Sequence, residues 1–137
     1  MTIPRSSAIA RDAETVLHSW IEAVNARDLD RLVAFYAKDA SLVPTFSAKA
    51  LRTPDEIRRY FAQLAARPGL SVTLHPRTLL AHETGGTTIL TGIYCFHFLI
   101  DDEPYHFEAR FSLVTGDPTA PSPILHHHSS QIPRQLA

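Results

Sequence analysis

A chain of 137 residues fits one domain with a real core and leaves little room for a second. It is 45% hydrophobic and 20% charged, near the globular average, with a net charge of −1 when its eight histidines are neutral. That balance excludes a global basic field for nucleic acid or an anionic membrane, and the single cysteine, Cys95, excludes an internal disulfide.

Arg5, Arg11, Asp12 and Glu14 interrupt any apolar run at the N-terminus, so no secretory core is expected. No segment approaches the roughly 20 apolar residues of a membrane span. One cysteine suits a reducing compartment, and the expectation is a soluble cytoplasmic protein in one domain, residues 1–137, ordered over about 8–133.

The first half reads as helices. Ile9, Ala13, Val16, Leu17, Trp20, Ile21 and Val24 recur at helical spacing, with Ser6 or Ser7 as the cap and a stop at 25–27. Asp28 caps a shorter second helix with Leu29, Leu32, Val33 and Tyr36 as its stripe. A short strand is expected over 40–45. The third helix has the strongest start signal: Thr53 as cap, Pro54 at the first position and Glu56 completing a capping box. Ile57, Tyr60, Phe61 and Leu64 form its stripe, and Pro68-Gly69 ends it.

The second half reads as strands: 70–81, 87–100, 105–114 and 124–132. Gly85-Gly86 and 101–104 mark turns, and 115–123 is a Pro/Gly-rich loop. Short turns predict an antiparallel meander, so the fold class is α+β: three helices on one face of a curved, mainly antiparallel sheet, closing a cone-shaped barrel. Tyr94, Phe96 and Phe98 share one face of the long strand and Ile93, Cys95 and Leu99 the other. Two apolar faces predict that one of them packs on a second subunit.

The most unusual segment is the last strand, with His126, His127, His128, Ser129 and Ser130 in a row. Alternation puts His126, His128 and Ser130 on one face and His127 and Ser129 on the other. On the preceding strand His106, Glu108, Arg110 and Ser112 share a face. Turned toward the cone, Glu108 and Arg110 can pair, and Arg110 can meet an anion with its fork of donors. The ligand-lining set is then Arg110, Glu108, His126 and His128, with Tyr60 as a wall. His126 and His128 sit about 6.5 to 7 Å apart by strand rise, a spacing zinc tolerates if His97, His106 or Glu108 adds a third ligand. Hydrogen-bonded imidazoles lining a pocket are the plainer reading, and no metal or cofactor is expected. Asp39, after the second helix, is a candidate general base with His128 or Tyr60 opposite; a loop aspartate is its plainer reading.

The order of elements resembles the nuclear transport factor 2-like superfamily with its cystatin-like fold, which includes SnoaL-type cyclases and ketosteroid isomerase. WIEAVNARDLDRLVAFYAKDASLVPTF, TPDEIRRYF, FEARFSLV and ILHHHSSQIP are most similar to the association (hub) domain of calcium/calmodulin-dependent kinase II and its free-standing bacterial relatives. The resemblance implies a homo-oligomer, at least a dimer packed through its sheets, and a deep pocket. The hub pocket is lined by arginines and takes small carboxylates. Arg110 matches one of those arginines, whereas Ser129 stands where the hub has another. The expected function is an oligomeric protein binding a small, anionic molecule. The alternatives are a cofactor-independent isomerase, cyclase or lyase working by proton transfer, and a purely structural oligomerisation module.

Overall fold

The computed structural model describes residues 8–133. Helix α1 (Ala8–Ala26) buries Ala13, Val16, Leu17, Trp20 and Val24 of the predicted stripe, together with Ala10 and Ala23, while Ile21 is half-buried and Ile9 is exposed. The expected caps Ser6 and Ser7 lie outside the described residues. The helix stops at Arg27, whose φ of 56° breaks it. Asn25 then docks the helix end onto the sheet edge: its Nδ2 donates to the Val72 carbonyl (3.1 Å) and its Oδ1 accepts the Val72 N–H (2.7 Å).

Helix α2 (Leu29–Ala34) is capped by Asp28 as predicted. Tyr36, expected on its stripe, instead opens strand β1 (Tyr36–Val43), which starts four residues earlier than the sequence suggested. Parallel pairing with the last strand, Tyr36 opposite Ile124, overrides the local helical spacing. Helix α3 (Pro54–Ala65) starts as read: Thr53 Oγ1 accepts the Glu56 N–H at 3.2 Å. The Glu56 carboxylate reaches back to the Arg52 N–H at 3.0 Å, one residue before the cap. Thr53→Ala should cost about 1 kcal/mol in urea unfolding, since the Glu56 amide loses its acceptor. An unchanged midpoint would mean that Pro54 and Glu56 set the helix start without it.

The expected strand over 70–81 is broken in two. Strand β2 (Ser71–Leu74) gives way to a 3-10 turn at Pro76–Thr78, and strand β3 (Leu80–Thr84) follows. Pro76 fixes φ and has no N–H for the ladder, so the strand cannot run through it. Strands β4 (Thr87–Ile100), β5 (Glu103–Thr115) and β6 (Ile124–Gln131) form the broad antiparallel centre. Both hairpin turns have two central residues at positive φ, Gly85-Gly86 and Asp101-Asp102.

The sheet order is β1-β6-β5-β4-β2, with β3 also on β4. It is an open sheet, mainly antiparallel as expected and mixed because β1 joins β6 in parallel at one edge. The helices cover one face. On that inner face Tyr94, Phe96, Phe98, Ala109, Phe111 and Leu113 join the helical stripes in one core. Gly92 lies opposite Phe111, and a Cβ there would sit 3.0 Å from the Phe111 ring, so a side chain would crowd it. Among the described residues, no helix is long and apolar enough to cross a membrane.

Candidate functional site

Register decides which histidines enter the cone. Leu113 and Phe111 are core residues, and they pair with His127 and Ser129. His127 is 1% exposed and Ser129 is 3% exposed. The expectation that His126, His128, Glu108 and Arg110 face the cone is therefore corrected. The apolar alternation of β5 is the core side, and the polar set points outward with Ser112 and Ser130.

Inside, Trp20 from α1, Tyr36 from β1, Tyr94 from β4 and His127 from β6 meet. Trp20 Nε1 donates to the Tyr36 hydroxyl at 3.0 Å. Tyr36 Oη lies 2.8 Å from His127 Nδ1, and Tyr94 Oη lies 3.0 Å from His127 Nε2. Beside them the Ser129 and Thr45 hydroxyls bond each other. Tyr60 accepts the Phe46 N–H at 3.3 Å. Side-chain hydrogen bonds thus join Trp20, Tyr36, His127 and Tyr94 in one line through the core.

Burial sets the protonation of this line. It pushes the His127 imidazole down to about 3, with His126 and His128 acting in the same direction. It raises Tyr36 and Tyr94 well above ordinary phenols and Tyr60 to about 12. His127 is neutral, so one ring nitrogen donates and the other accepts. Trp20 can only donate, which makes Tyr36 an acceptor there and turns its own proton toward His127 Nδ1. His127 then carries its proton on Nε2 and donates to Tyr94. The opposite tautomer would strand the Tyr36 proton in a buried site, at about 1–3 kcal/mol.

The cone has almost no free space. The cavity among Trp20, Tyr60, Tyr94, His127 and Ser129 is about 10 Å³, room for the centre of one water. Phe46 packs edge-on to Phe96, Phe98 and Phe107 at 5.2, 5.5 and 5.4 Å. It also lines a depression of about 360 Å³ with Tyr60, Gln63, Leu64, Ala66 and Arg67.

Asp39 is exposed on β1 and His128 is exposed on the outer face, while Tyr60 stands at the cone mouth. The structure does not bring Asp39 into the cone, and among the described residues no carboxylate is buried there. On the outer face Glu108 accepts from His75 at 2.8 Å and does not pair with Arg110. His126 Nδ1 bonds Ser41 Oγ at 2.7 Å. Arg110 and His128 do come together, in a groove of about 430 Å³ shared with Thr78, Thr91, Ser112 and Ser130. Among the described residues, no three His, Cys, Asp or Glu side chains are placed to hold one metal ion. The residues that sequence reasoning missed are His127, Ser129, Thr45 and the Tyr36–Tyr94 pair. The signal for His127 was the apolar alternation of β5, which marks its in-register neighbour on β6 as core.

Three solved structures place this geometry among known folds. A putative calcium/calmodulin-dependent protein kinase II association domain from Xanthomonas campestris superposes with a TM-score of 0.80, at 20% identity over 98% of this chain and 99% of that one. A protein with a cystatin-like fold from Caulobacter vibrioides gives 0.76, at 15% identity over 93% and 92%. A putative dehydratase of the nuclear transport factor 2-like family from Streptomyces avermitilis gives 0.76, at 16% identity over 90% and 96%. No curated protein matches the sequence. At these identities the likenesses establish the cystatin-like, nuclear transport factor 2-like fold. A family model for the SnoaL-like domain matches residues 13–135, nearly the whole described chain, and the protein belongs to that family.

Proposed function

We propose that the chain is a homo-oligomeric binding protein for small carboxylates, assembled through the outer face of its sheet, with its ligand in the groove at Arg110. The observation that carries this reading is the Arg110 guanidinium, which lines the groove and has no acidic partner among the described residues. His128 and the hydroxyls of Thr91, Ser112 and Ser130 surround it and supply further donors. The same face carries half-buried Ile89, Ile93, Leu99 and Val114 between its polar residues. Such a mixed face suits sheet-on-sheet packing of two copies. The Xanthomonas campestris likeness to an association domain supports assembly as its use.

Arg110→Ala should abolish the rise in melting temperature that small carboxylates such as acetate or butyrate give the wild type. The expected loss of affinity is on the order of 10- to 100-fold, as for a charge-assisted bond. A full response in Arg110→Ala would place the ligand elsewhere. Sedimentation of the wild type should give a dimer or larger; a monomer at high concentration would remove the assembly half of the reading.

The tyrosine–histidine line favours a second reading, an acid/base enzyme with its substrate in the cone. The Streptomyces avermitilis likeness to a putative dehydratase is in keeping with it. It ranks below the first because about 10 Å³ of space admits no substrate and no buried carboxylate is at hand.

A further inference from the structure

Six of the eight histidines stand on the outer side of the sheet. His126 and His128 alternate with the buried His127 on β6. His97 and His106 are partners in register on β4 and β5, their rings 6.3 Å apart. His82 on β3 pairs with Ile89 of the same face. His75, just after β2, reaches across to Glu108 at 2.8 Å. The other two are His18 on α1 and His127 in the core.

Imidazole is the side chain that exchanges a neutral form for a cation between about pH 5 and 8. Neutral, it tolerates burial once hydrogen-bonded; charged, it needs a partner or water. The face offers few partners. Its central strands carry Glu108, already held by His75, and Arg110, a cation itself. At its edges Lys38 and Asp39 on β1 offset each other, as do Arg77 in the 3-10 turn and Glu83 on β3. Asp101, Asp102 and Glu103 stand at the tip of the β4–β5 hairpin, beyond the face itself. Between these borders the histidines neighbour half-buried Ile89, Ile93, Leu99 and Val114. Covering that mixture with a second copy favours neutral imidazoles, so protons and the second copy compete. His97 and His106 feel the competition most, because like charges directly opposite on two strands also repel within one chain.

We propose that the outer face is a proton-controlled interface: two copies join through it while its histidines are neutral and part as they become charged. This rests on the sheet-face assembly of the proposed function and adds its control.

Sedimentation of the full chain at about pH 8 and about pH 5.5, in buffers of equal salt and free of carboxylates, tests it. The dissociation constant of the dimer should rise at least about 100-fold in acid. Two imidazoles held neutral in the dimer suffice, each giving about tenfold per pH unit. His97→Gln with His106→Gln keeps polar side chains there and should cut that rise by about tenfold or more. His106→Gln alone gives the same comparison, with a smaller effect, should the double variant be monomeric at both pH values. His18→Gln, on the helix side of the sheet, should leave the rise unchanged. Acid destabilisation through His127 acts on all these proteins alike, so the difference between variants carries the result. A wild-type dimer that weakens less than about tenfold in acid, or an equal rise in every variant, overturns the proposal and leaves the assembly standing. A monomer at both pH values removes the assembly and its control together.

Discussion

Lowering the pH from 6.5 to 4.5 should cost the fold about 2–3 kcal/mol through His127 alone, near 1.4 kcal/mol for each unit. His127 is neutral in the folded chain because burial holds its imidazole down to about 3. In the unfolded chain it titrates near 6.5. Between those two values the unfolded state binds a proton that the folded state refuses, so acid draws the chain toward unfolding. The contribution is fully present above about 6.5 and is lost progressively as the pH falls toward 3. His127→Gln removes the titration and keeps a donor and an acceptor between the two tyrosines. The variant should be less stable at pH 7 by about 1–3 kcal/mol, and the gap should close as the pH drops. Carboxylates titrate in both proteins, so the measured quantity is the difference between the two stability curves. Urea unfolding at several pH values and low protein concentration gives it. Parallel curves would show that His127 takes up its proton as readily in the folded chain as in the unfolded one.

Much of the fold was legible in the residues, and the errors are instructive. The start of α3 was written in Thr53 and Pro54, whose roles are local and need no tertiary context. The alternation of β4, β5 and β6 was equally plain, because side chains on a strand can only point two ways. The choice between those two ways was the hard step. Two histidines on one face suggest a pocket wall, which puts His126 and His128 inward and leaves His127 on the opposite face. The structure buries that histidine by giving both its nitrogens tyrosine partners, which sit 91 and 33 residues away in sequence. No local pattern carries such a pairing. The same holds for Tyr36, which changes from helix stripe to strand once it meets Ile124. Asp39 looked like a base because of its place after a helix, yet β1 begins before it and leaves it exposed.

The correction relocates the chemistry. A polar cluster that seemed to define one pocket is split by the sheet into two environments. The inner one is dry and neutral, and its hydrogen bonds tie Trp20 of α1 to Tyr36, His127 and Tyr94 of the sheet. The outer one is wet and carries an unsatisfied cation. A ligand held by charge would sit outside, where desolvation of Arg110 is mild.

Trp20 should prove the costliest position in the cone, and two substitutions separate its roles. It is 2% exposed, stacked on Tyr94 at 5.5 Å and edge-on to His127 at 5.2 Å and to Phe61 at 6.2 Å. Trp20→Ala empties that space and should cost about 3–5 kcal/mol. This is a large share of the 5–15 kcal/mol that stabilises a typical domain. Trp20→Phe keeps an aromatic ring between Tyr94 and Phe61 and removes the N–H, and should cost about 1–3 kcal/mol. The Phe variant also tests direction. With Trp20 in place, Tyr36 must donate to Nδ1 and the His127 proton must rest on Nε2. Without that N–H, Tyr36 is free to accept from His127, and both tautomers become accessible. Nitrogen-15 shifts of the His127 ring should therefore report a single Nε2–H form in the wild type and a mixture in Trp20→Phe. A wild type with its proton on Nδ1 would mean that Tyr36 leaves its own proton unbonded in the core, and that Trp20 does not set the tautomer of His127.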